Sequence, residues 1–292
     1  GKGFDRMDDE VTYTASMDGK IEMQNDRIVV LPVHEVSGNA ELAEGNIDFR
    51  GDIVIHGNVE SGVNIRATGS ITIDGVAEAC MLEAGKDIIL RGGMLGGNKA
   101  SVKTKGAITA KFFEFTNILC EGDLQADVLM DCSVICHGQI RLTGRKGSII
   151  GGKVQAIRGL IATSLGNDAE KRTEIFVGAG IDVYSRLRVM EKKIETTREE
   201  LAKIEEGLEK FEILSKERGV SYTNDPRRTS LLRIKIKDSA MLASDEEEVR
   251  KLRILAESSR GACVSVIQEI YPGVIINMDE LKLALKNMAT GV

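Results

Sequence analysis

The chain has 292 residues, with 31 glycines, only 3 prolines and no tryptophan. Glycine, at about 11% where ~7% is usual, has no three-residue period, and with proline so scarce a collagen-like helix is excluded. With 42% hydrophobic residues and a net charge of −6, the chain is neither disordered nor a general nucleic-acid binder, which needs a basic face; no run of 18 or more apolar residues is present to span a membrane.

Residues 1–6 hold no apolar core of a signal peptide. The chain lacks an initiator methionine and stops abruptly after Ala289-Thr290-Gly291-Val292, which suggests a piece of a longer protein. The first 44 residues are expected to form a small β meander. Its strands fall at 11–15, 20–23 and 28–31, with turns at Asp18-Gly19 and Asn25-Asp26, and it is placed to cap whatever follows.

From residue 45 to 183 one pattern recurs: glycine, a polar spacer, then alternating apolar residues. It is seen at Gly51-Asp52-Ile53-Val54-Ile55, at Gly69-Ser70-Ile71-Thr72-Ile73, and again from Gly85, Gly106, Gly122, Gly138 and Gly159. The first apolar positions are Ile53, Ile71, Ile88, Ile108, Leu124, Ile140 and Ile161, spaced by 18, 17, 20, 16, 16 and 21 residues. Strands this short cannot bury a face alone, but stacked coils at ~4.8 Å cover one another. Glycine is expected at the corners, where the chain bends sharply or takes positive φ. Proline is excluded because each inner rung donates ladder hydrogen bonds. A second column of small residues, Ala67, Ala84, Thr104, Cys120 and Cys136, precedes the corners and makes the two cysteines core residues. A left-handed hexapeptide coil would repeat strictly every ~6 residues. The spacings of 16, 17, 20 and 21 break that period, which favours the right-handed form.

Residues 184–260 read as an antiparallel coiled-coil hairpin. Leu187, Met190, Ile194, Thr197, Leu201, Ile204, Leu208 and Phe211 alternate by 3 and 4, a heptad seam. Gly219 suits the end of this helix, and Asp225-Pro226 the start of the next. The second seam is rougher: Leu231, Ile234, Met241, Val249, Leu252 and Ala256. Residues 261–292 return to β structure, and Cys263–Ile267 is expected to rejoin the coil as its last rung. The fold class is therefore mainly β with an α insertion: a right-handed parallel β-helix, or solenoid, plus an antiparallel coiled-coil hairpin.

These residues carry a resemblance. Gly45-Asn46-Ile47-Asp48-Phe49 with Gly51–Val59, Lys111-Phe112-Phe113-Glu114, Gly147–Gly152, Ile175–Gly178, the charged hairpin and Tyr271-Pro272-Gly273 together resemble the flagellar assembly protein A (FapA) family over roughly residues 8 to 278. The resemblance implies a bacterial cytoplasmic protein with a β-helical core, tied to flagellar assembly or its regulation. It brings no catalytic residue with it.

Chemistry is sparse beside this framework. Cys132, Cys136 and His137 are the most metal-like cluster, but the cysteines alternate inward with Val134, so a core reading is preferred and no metal or cofactor is expected. Arg91-Gly92-Gly93-Met94-Leu95-Gly96-Gly97 lacks the Gly-Lys-Ser/Thr ending of a phosphate loop and reads as a wide corner. His34, His56 and His137 are the three histidines, with His56 solvated at a corner; Asp127 and Asp131 are weak candidates for a carboxylate cluster. The candidate partner contacts are Phe112, which alternation sets opposite Phe113 and Phe115, the basic corner Arg141, Arg145 and Lys146, and Tyr222 in the hairpin turn. The expectation is a non-enzymatic cytoplasmic scaffold that meets protein partners, with self-association through the coiled coil as a further expectation. A bactofilin-like polymer and a β-helix enzyme for sugar or acyl substrates are the alternatives.

Overall fold

A computed structural model of the chain describes residues 4–7, 12–16, 19–24, 27–219, 221–278 and 281–290. It contains two compact units, one made of Gly1–Gly178 with Ser259–Val292 and the other of Ala179–Ser258.

The first unit is a parallel β-solenoid of about eight turns with three faces. On the first face Val33–Val36, Asp52–Ile55, Ile71–Ile73, Ile88–Leu90, Ile108–Ala110, Leu124–Gln125, Ile140–Leu142, Leu160–Leu165 and Val264–Ile270 stack in parallel register. Their inward residues form one column from Ile53 through Ile71, Ile88, Ile108, Leu124 and Ile140 to Leu160, fully buried. The second face aligns Ala67, Ala84, Thr104, Cys120, Cys136, Ala156 and Val177. This is the small-residue column expected from sequence, extended by two coils. The third face stacks Ala40, Val59, Ala77, Met94, Phe113, Leu129, Ile149 and Leu165. Every buried column residue covers the one below it, and each large aliphatic side chain contributes about 1.5–3 kcal/mol of burial.

Two expectations are corrected here. The column takes Leu160 instead of Ile161, because Leu160 pairs with Ile140 while Ile161 faces outward beside Arg141. The cause is at the corner: Arg158 donates its N–H to Gly138 O at 3.1 Å, so Arg158 holds the corner position and Gly159 the spacer. The repeat glycines also serve a different purpose. Gly106, Gly122 and Gly138 do not have positive φ. A Cβ on Gly122 would instead lie 2.6 Å from Gly106 O, and one on Gly138 would lie 2.3 Å from both Gly122 O and Asp123 Oδ1. Close approach of one corner backbone to the next, and not a positive φ, is what requires glycine at these three positions.

The spacer acids complete these corners. Asp52 Oδ1 accepts the Ser70 N–H at 2.7 Å, Asp87 Oδ1 that of Ala107 at 2.7 Å, and Asp123 Oδ1 that of Gln139 at 2.8 Å. Each carboxylate satisfies a donor that the turn would leave orphaned.

The coil takes up its first strand at Val33, ahead of the Gly45 where the repeat becomes readable. Before it, β1 (Phe4–Arg6) pairs antiparallel with β2 (Tyr13–Ala15), and β3 (Lys20–Gln24) with β4 (Arg27–Leu31). Val11, Asp18, Asn25 and Asp26, which the sequence places in this meander, lie outside the described residues. The glycine-rich stretch at 91–97 is not a wide corner. Met94–Thr104 is one strand whose register shifts between Leu95 and Ala100, with Met94 in the third column.

The second unit holds α1 (Gly180–Arg218) and α2 (Pro226–Ser258). Gly219 closes α1 in the left-handed region at φ 61°, and Asp225 Oδ1 caps α2 by accepting the Arg227 N–H at 2.8 Å. Ion pairs Glu191–Arg253, Arg198–Glu246 and Glu205–Lys235 show the helices antiparallel. The α1 seam is as read from sequence, with Ile194, Thr197 and Leu201 buried. The α2 seam is not: Ile234 and Met241 are exposed. The inward heptad runs Leu231, Lys235, Asp238, Leu242, Asp245, Val249, Leu252, Ala256, so three polar residues hide the apolar period. Buried Asp245 has Lys193 Nζ 2.7 Å from its Oδ2, an ion pair whose angles fall short of a hydrogen bond.

After α2 the chain rejoins the coil: Val264–Ile270 pairs with Leu160–Leu165, and Val274–Met278 with Thr173–Val177. The helices are thus an insertion between two successive rungs.

The glycine columns make a direct prediction. Gly122→Ala is expected to lower stability by about 1–3 kcal/mol, the range for forced overpacking. Gly38→Ala, where a Cβ meets nothing within 4 Å, is expected to stay within about 0.5 kcal/mol. Thermal denaturation of the two variants checks both.

Candidate functional site

Alternate residues of each strand point outward and line up one per coil. On the second face Asp48, Arg66, Glu83 and Lys103 stand in register. Arg66 Nη2 lies 3.0 Å from Glu83 Oε2, and Arg66 Nη1 lies 3.9 Å from Asp48 Oδ2. A shallow groove of about 400 Å³ runs along these charges. On later coils the same column loses its charges, through Leu119, Ile135 and Gln155 to Phe176, whose ring carries Lys153 Nζ 4.7 Å from its centroid. Sequence reading missed this surface. Its signal was the residue just before each member of the small column, visible only when the copies are aligned on that column.

The chemistry-bearing residues are held in structural bonds. Asp127 Oδ1 accepts the N–H groups of Lys146 and Gly147 at 2.8 and 2.9 Å. Asp131 pairs with Lys171. The two acids therefore brace corners and do not converge. Cys120 Sγ and Cys136 Sγ both contact Gly122 O, at 3.3 and 3.2 Å, and Cys132 Sγ contacts Met130 O at 3.3 Å. Burial pushes the Cys80 thiol up to about 12 and the Cys132 thiol up to about 11. The hydrogen bond with Cys136, then burial, raises Cys120 as well. His137 gives its backbone N–H to Cys120 O at 2.8 Å, and His34 lies with its ring 5.5 Å from Phe49. Among the described residues no group of three or more His, Cys, Asp or Glu side chains is placed to hold a metal ion.

His56 has the most developed surroundings of the three histidines. Its Nδ1 is 2.9 Å from Asp74 Oδ2 on the next coil, and its Nε2 is 3.6 Å from Glu35 on the coil before. Arg91 Nε sits 3.0 Å from the other Asp74 oxygen. The hydrogen bond to Asp74, helped by the nearby Glu35 carboxylate, holds His56 above its ordinary 6.5 against desolvation. The cluster is a charge ladder across coils, solvated as expected.

The candidate contact residues fall in different places. Phe112 is half-buried, its ring filling the space that a side chain at Gly93 would take. Phe113 is fully buried, whereas Phe115 sits at φ 47° and half-buried, so these two do not share a face as alternation implied. Arg141 is exposed on its strand with Nε bonded to Gln139 Oε1 at 2.7 Å; Arg145 and Lys146 are exposed on the corner after it. Tyr222 is half-buried in the hairpin turn, its ring 6.2 Å from Phe211.

The architecture defines a class: a parallel β-solenoid whose last rung is separated from the rest by an inserted helical hairpin. The family model of the Flagellar Assembly Protein A beta solenoid domain, FapA, matches residues 32–290, and the chain belongs to that family. No curated protein and no solved structure matches it. No helix is long and apolar enough to cross a membrane.

Two outcomes follow from the site chemistry. The His56 ring is expected to titrate by NMR with a midpoint above 6.5, and Asp74→Asn to bring it back toward that value. Because the folded value is raised, the cluster's contribution to stability is fully present below pH 6.5 and fades as pH rises through the folded midpoint. In the native protein a thiol reagent is expected to modify Cys263 alone, since Cys80, Cys120, Cys132 and Cys136 are buried, and all five cysteines after unfolding. Mass spectrometry counts the adducts.

Proposed function

We propose that the chain is a non-enzymatic scaffold in bacterial flagellar assembly or its regulation, one that holds protein partners on the outer faces of the coil and along the hairpin. One observation carries this reading. The acids and cysteines that could do chemistry are spent on coil-to-coil bonds, Asp123 and Asp127 on backbone N–H groups and Cys120 and Cys136 on the Gly122 carbonyl. What remains outside is a set of columns with one side chain per coil, charged on the earlier coils and uncharged on the later ones. Such a surface suits extended protein contacts. The net charge of −6 favours protein over nucleic-acid partners, and five unpaired cysteines favour the cytoplasm.

The proposed contacts are Arg141, Arg145 and Lys146 on the coil, Phe112 elsewhere on it, and Tyr222 in the hairpin turn. The hairpin is also proposed as a site of self-association. Affinity capture with the intact chain, with a variant joining Gly178 to Ser259, and with Arg145→Glu/Lys146→Glu tests the reading. Loss of bound proteins in the first variant is expected. The charge reversals are expected to weaken capture about fivefold, taking roughly 0.5 kcal/mol per exposed charge. Identical bound sets in all three proteins would remove both surfaces from consideration.

A further inference from the structure

Among the described residues, the last coil has one strand edge with nothing on it. Along the first face each column residue gives its N–H to a carbonyl of the following coil, from Ile53 to Ser70 through to Leu160 to Cys263, both at 2.9 Å. The next donor in the series is Val264, and among the described residues nothing receives it. The second and third faces are closed by antiparallel strands: Leu281–Ala284 lies on Val274–Met278, and Ala289–Thr290 on Glu269 and Ile270. Among the described residues, the edge of Val264–Ile270 ahead of Glu269 is left open in this coil. A cavity of about 640 Å³ gapes beside it, lined by Val264, Val266, Ile276, Met278 and Leu283. The missing occupant is thus defined by the lattice it completes: an extended strand, with apolar side chains at alternate positions to continue the column.

The chain carries such a strand before its first coil. β3 pairs only with β4 among the described residues, and its Ile21 and Met23, two positions apart, are 68% and 72% exposed. It cannot serve its own slot, since eight coils at ~4.8 Å separate the first rung from the last by about 38 Å. We propose that the slot is filled by β3 of a second copy, which adds to the Val264 edge and lays Ile21 and Met23 over Val264, Val266 and Ile276. Donor and acceptor lie on different parts of the chain, so the contact is head to tail. Each added copy leaves a free slot and a free donor strand, and growth is open unless the copies close into a ring.

Cys263, exposed next to the open edge, makes the contact testable with the full chain. Lys20 and Gln24 end β3 on the face that alternation sets opposite Ile21 and Met23. Lys20 falls beside Cys263 if the strands pair parallel, and Gln24 if they pair antiparallel. One of Lys20→Cys and Gln24→Cys, under copper-phenanthroline oxidation, is expected to give a ladder of disulfide-linked species on non-reducing gels, and the same substitution with Cys263→Ser to give none. In sedimentation experiments the parent chain is expected to grow past a dimer as concentration rises. Ile21→Lys/Met23→Lys, which changes only exposed positions, is expected to stop at a monomer or at a hairpin-paired dimer with an unaltered circular dichroism spectrum. A parent chain that never exceeds a dimer overturns the proposal. So does growth past a dimer in the double lysine variant, or cross-linking that does not need Cys263. Pairing through the hairpins alone ends at two copies, so these results are distinct from hairpin self-association.

Discussion

The structure depends on one constraint: the corners of successive coils must stack as closely as the strands do. A strand ladder sets the coil spacing at ~4.8 Å, and a corner with a Cβ in the wrong place would break that spacing for every face at once. Gly106, Gly122 and Gly138 meet it by having no side chain, and the hydrogen bonds Gly122 N–H to Gly106 O and Gly138 N–H to Gly122 O, at 2.9 and 3.1 Å, lock one corner onto the next. The acids that follow them close the remaining donors. With the corners fixed, the interior columns are forced into register, and each column takes residues that fit its space: aliphatic on the first face, small on the second, mixed in size on the third.

The hairpin obeys a different rule. Its α1 seam is apolar apart from Thr197, while α2 offers Lys235, Asp238 and Asp245 at seam positions. A buried Asp245 beside Lys193 adds little net stability, because both charges lose water. Its effect is on alignment in one direction: a slip that brings Glu200 to the place of Lys193, one heptad on, sets two carboxylates together, whereas the opposite slip brings Arg186. Uniform apolar contacts would tolerate such slips.

Much of this architecture was legible in the sequence because its period is long and its strands alternate. Ile53, Ile71, Ile88, Ile108, Leu124 and Ile140 can be aligned by eye, and Cys120 and Cys136 fall into place with them. The failures share a cause. Where a residue type stood in for a position, the reading went wrong: Gly159 looks like a corner glycine but occupies the spacer, and Ile234 and Met241 look like seam residues but face solvent. Position is set by backbone hydrogen bonds, such as that from Arg158 to Gly138, which leave no mark on side-chain chemistry. The first rung was hidden for a similar reason. Val33–Val36 follows Pro32 and lacks the glycine-spacer signature, and only its pairing with the next coil identifies it. The outer charge column of Arg66, Glu83 and Lys103 required knowing the register first.

The insertion bears on how the chain folds. Most contacts in the coil join residues one turn apart, so each rung can add to a neighbour already formed, with little loop entropy to overcome. The rung that begins at Val264 is the exception, since its partner Leu160 lies before the whole hairpin. Closing a flexible loop of that length would carry an entropic cost and a search. Two antiparallel helices joined by a short turn bring Gly180 and Ser258 back together as soon as they zip, so the long loop becomes a short one. Synthesis of the final rung would then wait on a local event in the helices, and the open end of the coil would stay uncovered until that event occurs.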